Sequence, residues 1–155
     1  MNKLSDIDVG YIAGMIDGEG SVSLQKNPVR NRTNTLRHPV VSIWNADVQM
    51  LKYIQQVTGI GKVSKPTMYS KNYLPSYYFW VESTKAIKLL EVITPHLKTY
   101  KKRRAEMILK DYERLTPKNG KYTPKLLQEK EQFVNEFFKL TLRADRLKVL
   151  GLPNL

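Results

Sequence analysis

Glu19, an acidic residue in a glycine-rich segment, occupies a position that suits metal chemistry. It follows a predicted helix over residues 7 to 17, and the unpaired carbonyls at a helix C-terminus carry partial negative charge. An acid is unfavourable there unless a cation binds beside it. The Glu19 carboxylate and the Gly18 carbonyl offer the hard oxygen ligands that Mg²⁺ prefers, with water completing its octahedron. Taken alone, the same residues could also form an ordinary turn.

The predicted helix carries a row of small residues on one side. Gly10, Ala13, Gly14 and Asp17 recur at i, i+3, i+4 and i+7, so this face is almost bare of side chains. A glycine in an exposed helix costs about 1 kcal/mol relative to alanine, and close approach of another helix is the usual compensation. We therefore predict that these four residues form a helix–helix interface. The second helix could belong to another copy of the chain or to the same chain.

The rest of the chain alternates between strand and helix patterns. Ser5 or Asp6 caps the first helix, and Gly18 and Gly20 end it. The other predicted elements are strands over 21–25 and 40–44, a helix from Asp47 to about Val57 closed by Gly59, strands over 60–65 and 77–82, and helices over 84–93, 101–115 and 125–148, the last with room for one break. This order predicts one α+β domain whose four-stranded sheet has helices on one face and a polar, basic opposite face.

The charge of the chain points to a polyanionic partner. The 155 residues carry a formal net charge of +12, and Asp47 is the only acid between Glu19 and Glu82, a stretch that is rich in lysine and arginine. The sequence has no cysteine, which excludes disulfides and thiolate zinc sites. It also lacks an apolar run of the roughly 18 residues that a membrane span needs. We therefore expect nucleic acid as the partner, and no membrane.

The segment from Ile12 to Gly20 resembles the LAGLIDADG motif of homing endonucleases, with Met15, Gly18 and Glu19 as common variants. The motif is specific because it spans nine consecutive positions and is followed by an alternating strand. A single copy of it makes the chain similar to the single-motif, homodimeric branch of that family.

The resemblance extends beyond the motif. The αββαββ order, the Gly59-Ile60-Gly61 turn and the Lys101-Lys102 pair all look like this branch, over residues 7 to 115. It implies an αββαββα core with a four-stranded antiparallel, saddle-like sheet. Residues 1–155 then form one endonuclease domain, with the motif helix at 7–19, the rest of the core at 20–115 and C-terminal helices at 116–155.

The resemblance also implies an activity. Two protomers would pack their motif helices about a two-fold axis and cut a long, pseudo-palindromic double-stranded DNA site, leaving short 3′ overhangs. Mg²⁺ is the implied cofactor, with Mn²⁺ or Ca²⁺ as alternative occupants of the site, and no small-molecule cofactor is expected. The implied setting is intron homing in the cytoplasm of an archaeon or bacterium, or in a chloroplast or mitochondrion. The alternative is a non-cleaving nucleic-acid-binding protein such as an RNA-splicing maturase.

Residue roles follow from the same resemblance. Glu19 corresponds to the direct metal ligand of the motif, and Gly18 contributes its carbonyl. Asn45 corresponds to a residue that positions water, and Gln49 to its partner, which is often a longer basic residue in the family. Lys101 corresponds to a lysine that stabilises charge or polarises the attacking water. The alternative is that Lys101 binds a backbone phosphate, a role that needs the same positive charge.

The polar face of the sheet is expected to lie along the major groove. Strand alternation and loop position select these candidates for DNA contacts: Ser21, Ser23, Gln25 and Asn27; His38, Val40, Ser42 and Trp44; Lys62 and Ser64; Tyr77 or its neighbour Tyr78; and Arg30, Arg32, Arg37 and Lys71. Arg143 and Lys148 are candidates for backbone phosphates. For each of them a solvated surface position is the alternative. The Phe133–Phe137 pair is predicted to belong to the core.

Overall fold

The computed structural model describes residues 1–26, 36–65 and 76–151. The predicted DNA-contacting residues Asn27, Arg30, Arg32 and Lys71 lie outside these ranges. The elements are α1 (Asp6–Glu19), β1 (Gly20–Lys26), β2 (Arg37–Asn45), α2 (Val48–Thr58), β3 (Lys62–Ser64), β4 (Tyr77–Glu82), α3 (Ser83–Ile93), a 3₁₀ turn (Thr94–His96), α4 (Tyr100–Asp111), α5 (Pro124–Lys139) and α6 (Leu142–Val149).

The first helix is longer than its sequence pattern predicted. Ser5 is the N-cap, and its side chain accepts a hydrogen bond from the Asp8 amide. The helix continues through Gly18 and ends at Glu19, so this acid is the last helical residue instead of the first residue after the helix. At position 20 the chain turns so close to α1 that a Cβ there would lie 2.6 Å from the Ile16 Cα. Glycine therefore permits the close passage from α1 into β1.

The sheet is antiparallel throughout, with strand order β1-β2-β4-β3. Val22 pairs with Val41 and Val41 with Val81, and these three buried side chains face the helices. The four-stranded antiparallel sheet covered by helices on one face is confirmed. The third strand is shorter than predicted because Gly59 and Gly61 both adopt positive φ, at 64° and 82°, and turn the chain.

One continuous core lies between the helices and the sheet. Helix α1 buries Val9, Ile12, Ala13 and Ile16. Phe133 and Phe137 of α5 belong to the same buried cluster, as predicted, so α5 packs on this core. In the described ranges, no helix is both long and apolar enough to cross a membrane.

The C-terminal region forms shorter helices than its sequence pattern predicted. Helix α4 ends at Asp111, and the helical segment predicted over 125–148 has its one break at Leu140, between α5 and α6. The division occurs because the Thr141 side chain accepts a hydrogen bond from the Ala144 amide and so begins a new helix.

A buried lysine is an unusual feature of this C-terminal region. Lys130 is only 1% exposed, its Nζ donates to the Thr116 Oγ1 at 2.7 Å, and its Nζ lies 4.0 Å from the centre of the Tyr112 ring. Burial lowers the pKa of Lys130 to about 8. The charged form is therefore costly in the folded protein at neutral pH.

We expect the free energy of unfolding to rise by roughly 2 kcal/mol between pH 7 and pH 10, because the folded chain releases the Lys130 proton there while the unfolded chain keeps it. Burial raises the pKa of Tyr112, whose ring contacts the Lys130 ammonium. The Lys130→Met variant should lack the part of this rise that Lys130 contributes, and it should be at least as stable as the native protein at pH 7. Urea denaturation at both pH values measures the free energy of unfolding. An equal change with pH in the native protein and in the variant would contradict the role assigned to Lys130.

Candidate functional site

The C-terminus of α1 is closed by a lysine from another helix. Lys101, in the first turn of α4, is 7% exposed, and its Nζ donates to the carbonyl oxygens of Ile16 at 2.8 Å and Asp17 at 2.9 Å. The ammonium thus neutralises carbonyls in the last turn of α1. Burial lowers the pKa of Lys101, while the charges of Asp17 and Glu19 raise it. This inward position argues against the phosphate-clamp alternative.

The carboxylate of Asp17, in turn, caps the N-terminus of α4. It accepts hydrogen bonds from the Lys98 amide at 2.6 Å, the Thr99 amide at 3.3 Å and the Thr99 hydroxyl at 2.6 Å. Thr99 is the N-cap of α4, where the helix dipole favours negative charge. Asp17 and Lys101 therefore cap each other's helices. Asp17 was predicted to lie in the dimer interface, and the structure corrects this: its carboxylate braces α4 of the same protomer.

Glu19 and Gly18 are both exposed at this braced end of α1. Since Asp17 is engaged by α4, Glu19 supplies the carboxylate that faces solvent here. The described residues contain no cluster of three or more His, Cys, Asp or Glu side chains able to hold a metal ion. The oxygen donors of Glu19 and Gly18 nevertheless suit a hard divalent cation that keeps most of its water ligands.

Asn45 and Gln49 lie at the same end of the sheet. Gly20 pairs with Ile43, and Asn45 follows two residues later on β2. The Asn45 Oδ1 accepts a hydrogen bond from the Asp47 amide at 2.8 Å, which holds the turn into α2. Gln49, in the first turn of α2, is exposed. The amide oxygen of Asn45 therefore has a local structural role, and its amide nitrogen is the group suited to contact water or DNA.

The side of α1 that faces away from the core is open, but the small residues on it are not all the predicted ones. Gly10, Gly14 and Gly18 recur at i, i+4 and i+8, and a Cβ added at any of them would meet no atom of the described chain within 4 Å. Tyr11 is 40% exposed beside them. Ala13 is 1% exposed and packs in its own protomer's core, so its assignment to the interface was wrong. Gly18 takes its place in this glycine row.

The open face of the sheet matches most of the predicted surface. Register places these described residues on it: Ser21, Ser23, Gln25, His38, Val40, Ser42, Trp44, Lys62, Ser64, Tyr78, Trp80 and Glu82. Val40 and Ser42 lie on β2 between β1 and β4 and are buried, at 1% and 6% exposed, so their selection as DNA-contacting side chains is not supported. Trp80 and Glu82 were not singled out from the sequence, although alternation from Tyr78 would have found both.

Two predicted contact residues lie on the opposite face. Tyr77 packs against the core, because Tyr78 takes the open-face position beside Trp44, so selecting Tyr77 for DNA contact was wrong. Arg37 donates from Nη1 to the Leu24 carbonyl at 3.0 Å, and its guanidinium lies 4.8 Å from the centre of the Phe138 ring. It anchors α5 to the strands instead of lying in a loop.

The sequence pattern of the LAGLIDADG endonuclease family matches residues 12–108. The chain belongs to this family. The matched range contains both Glu19 and Lys101, and it runs from within α1 to within α4. Comparison with curated protein sequences gave no match.

Solved structures of homing endonucleases share the whole fold with this LAGLIDADG chain. The structure of I-CvuI bound to its target has a TM-score of 0.69 and 20% identity, and the match covers 96% of this chain and 97% of that one. The archaeal intron-encoded I-Vdi141I, complexed with DNA, has a TM-score of 0.68 and 24% identity over 88% of this chain and 85% of its own. I-TnaI has a TM-score of 0.59 and 23% identity over 96% and 95% of the two chains.

The last helix, α6, carries both residues that were predicted to bind backbone phosphates. Arg143 and Lys148 are both exposed on α6. An ion pair between Arg103 and Asp145 ties this helix to α4. The neighbouring Arg104 was not singled out from the sequence: it is 9% exposed and donates to the carbonyls of Val22 and Leu140. Arg104 thus joins β1 to the end of α5 and has a structural role.

Proposed function

We propose that this chain is a homodimeric homing endonuclease that hydrolyses both strands of a long, pseudo-palindromic DNA site with a divalent metal and leaves short 3′ overhangs. The observation that carries the proposal is the exposed Glu19 at the end of the glycine-lined α1, held there by the mutual capping of Asp17 and Lys101. The related I-CvuI and I-Vdi141I were both solved on DNA, which supports duplex DNA as the substrate.

The homodimer is inferred from the single motif and from the open glycine row of Gly10, Gly14 and Gly18. Two copies of α1 can approach closely where side chains are missing. A two-fold axis through that contact brings both copies of Glu19 towards one centre, and it makes the preferred DNA site pseudo-palindromic. One protomer contributes a single exposed carboxylate here, so the dimer is the unit that would assemble a complete site.

Mg²⁺ is the proposed cofactor, held by the Glu19 carboxylate, the Gly18 carbonyl and water. Ca²⁺ and Mn²⁺ prefer similar oxygen ligands, and structures of I-CvuI were solved in the presence of Ca or Mg. A bound divalent ion would lower the pKa of the attacking water and stabilise the leaving oxygen. The role of the chain is to present the oxygen donors in a fixed position.

Lys101 is proposed as the residue that fixes this position. Its Nζ holds the Ile16 and Asp17 carbonyls, so it controls the path of the backbone into Gly18 and Glu19. Its positive charge also offsets repulsion between the Glu19 carboxylate and an approaching phosphate. Asn45, through its amide nitrogen, and the exposed Gln49 are proposed to orient water beside Glu19.

DNA is proposed to lie along the open face of the sheet. Ser21, Ser23 and Gln25 on β1 carry donors and acceptors suited to base edges. Lys62, Arg143 and Lys148 are suited to backbone phosphates. Asn27, Arg30, Arg32 and Lys71, which lie outside the described ranges, remain predicted contacts. Intron homing in an archaeal, bacterial or organellar host is the proposed biological role, as for the intron-encoded I-Vdi141I.

The test begins with selection of bound duplexes from a randomised DNA library. Incubation of the selected duplex with protein and Mg²⁺ should give doubly cut product with short 3′ overhangs, and chelation with EDTA should abolish it. Binding should weaken steeply with salt, because phosphate contacts release counterions. Bound but uncut DNA in both Mg²⁺ and Mn²⁺, or a preference for RNA over the selected duplex, would favour the non-cleaving, maturase-like alternative.

A further inference from the structure

Three aromatic rings on the open face of the sheet have no role in the proposed chemistry. Trp44 is 46% exposed, and Tyr78 and Trp80 are half-buried. The centres of the Trp44 and Tyr78 rings are 4.8 Å apart, and those of Tyr78 and Trp80 are 6.4 Å apart. With Lys62 and Ser64 these rings line an open groove of about 400 Å³. We call Trp44, Tyr78 and Trp80 the aromatic patch.

The indole nitrogen of Trp80 already has a partner. The Trp80 Nε1 donates to the Glu82 Oε2 at 3.2 Å, and the His38 Nε2 lies 3.2 Å from the same oxygen. The indole of Trp80 therefore offers mainly carbon to a ligand. On this mostly polar face, covering the exposed aromatic carbon with an apolar group is favourable.

Strand register fixes where the patch lies relative to Glu19. Gly20 is paired with Ile43, and Trp44 is the next residue on β2, so the patch adjoins the end of α1 that bears Glu19. His38 lies six residues away on the same strand and pairs with Gln25. That distance is about 20 Å at a rise of about 3.3 Å per residue. DNA lying along the strands would therefore meet the patch at the base pairs closest to the cleavage centre.

We propose that the aromatic patch selects thymine at the inner base pairs of each half-site by covering its C5 methyl group. This inference rests on the proposed function. In the major groove, G·C pairs display hydrogen-bond donors and acceptors, whereas A·T pairs add the apolar thymine methyl. An aromatic ring placed against the polar edge of a base pair would remove water from its hydrogen-bonding groups and leave them without partners. That loss is unfavourable. Lys62, at the rim of the groove, is suited to the adjoining phosphate.

The test replaces thymine with uracil in the selected duplex, one position at a time, which removes only the methyl group. Each inner thymine replaced should weaken binding about fourfold, the effect of exposing one buried methyl-sized group. At an inner cytosine, 5-methylcytosine should strengthen binding. In the Trp44→Gln variant the thymine-to-uracil affinity ratio should fall towards one. In the matched Leu127→Gln variant, which makes an apolar-to-glutamine change at an exposed position of α5 outside the open face, the ratio should be retained.

The outcomes separate this inference from the function on which it rests. If selection enriches no duplex, the proposed function fails. If a duplex is enriched and cut but its inner positions hold no thymine, or uracil binds there as well as thymine, the inference is overturned while the nuclease stands. The uracil measurement uses the native protein, so it is decisive even if Trp44→Gln does not fold. If folded Trp44→Gln kept the same thymine-to-uracil affinity ratio as the native protein, the inference would also be overturned.

Discussion

Replacing Glu19 with glutamine should reduce Mg²⁺-dependent DNA cleavage on the order of a thousandfold or more, while DNA binding stays the same or improves. The substitution keeps the size of the side chain but removes the charge that a divalent cation needs. Binding should not suffer, because a carboxylate near backbone phosphates repels them. Single-turnover cleavage of the selected duplex and its dissociation constant, measured in Ca²⁺ to prevent cutting, report the two effects separately.

Asp17→Asn is the matched control, since it makes the same chemical change two residues earlier. Asp17 accepts three hydrogen bonds at the N-terminus of α4. Its neutralisation should lower the free energy of unfolding by roughly 1 to 3 kcal/mol. Glu19→Gln should leave stability nearly unchanged, because Glu19 is exposed. If Glu19→Gln cuts DNA as fast as the native protein in Mg²⁺, the metal site proposed at the end of α1 is refuted.

Local sequence signals predicted most of the secondary structure. Alternation gave β1 and β2, and Asp47 and Gly59 marked the ends of α2 because a side-chain cap and a left-handed glycine are local features. The end of α1 was misplaced for a tertiary reason. Gly18 remains helical because Lys101, 85 residues from Ile16, closes the helix end from another element. Spacing within the motif carries no information about that partner.

The same limit explains the errors in the candidate site. Helical spacing grouped Ala13 with Gly10 and Gly14, but a small residue can face a core or a neighbour equally well, and only packing against the sheet decides. At Tyr77 and Tyr78 both neighbours are aromatic, so alternation cannot fix the face. The register opposite Trp44 does fix it. The identity of Glu19 as the exposed acid was predictable because the motif is contiguous in sequence.

Placing leucine at position 14 should dissociate the dimer while leaving the protomer intact. An added Cβ at Gly14 meets no atom of the described chain within 4 Å, and leucine favours the helix over glycine by close to 1 kcal/mol. In the proposed dimer the two-fold axis would place both copies of the substitution at the contact, so each helix would be pushed away from its partner. We expect dimer affinity to fall by at least about a hundredfold, on the scale of a few kcal/mol for overpacked side chains.

Sedimentation at micromolar concentration measures the dimer, and thermal unfolding of the same samples measures the protomer. The control is Lys88→Leu on α3, which adds the same side chain at an exposed helical position away from the glycine row. Loss of the dimer should also abolish double-strand cleavage, because one protomer supplies one Glu19. If Gly14→Leu remains dimeric and cuts DNA normally, the protomers associate through another surface. The glycines of α1 would then need a different explanation.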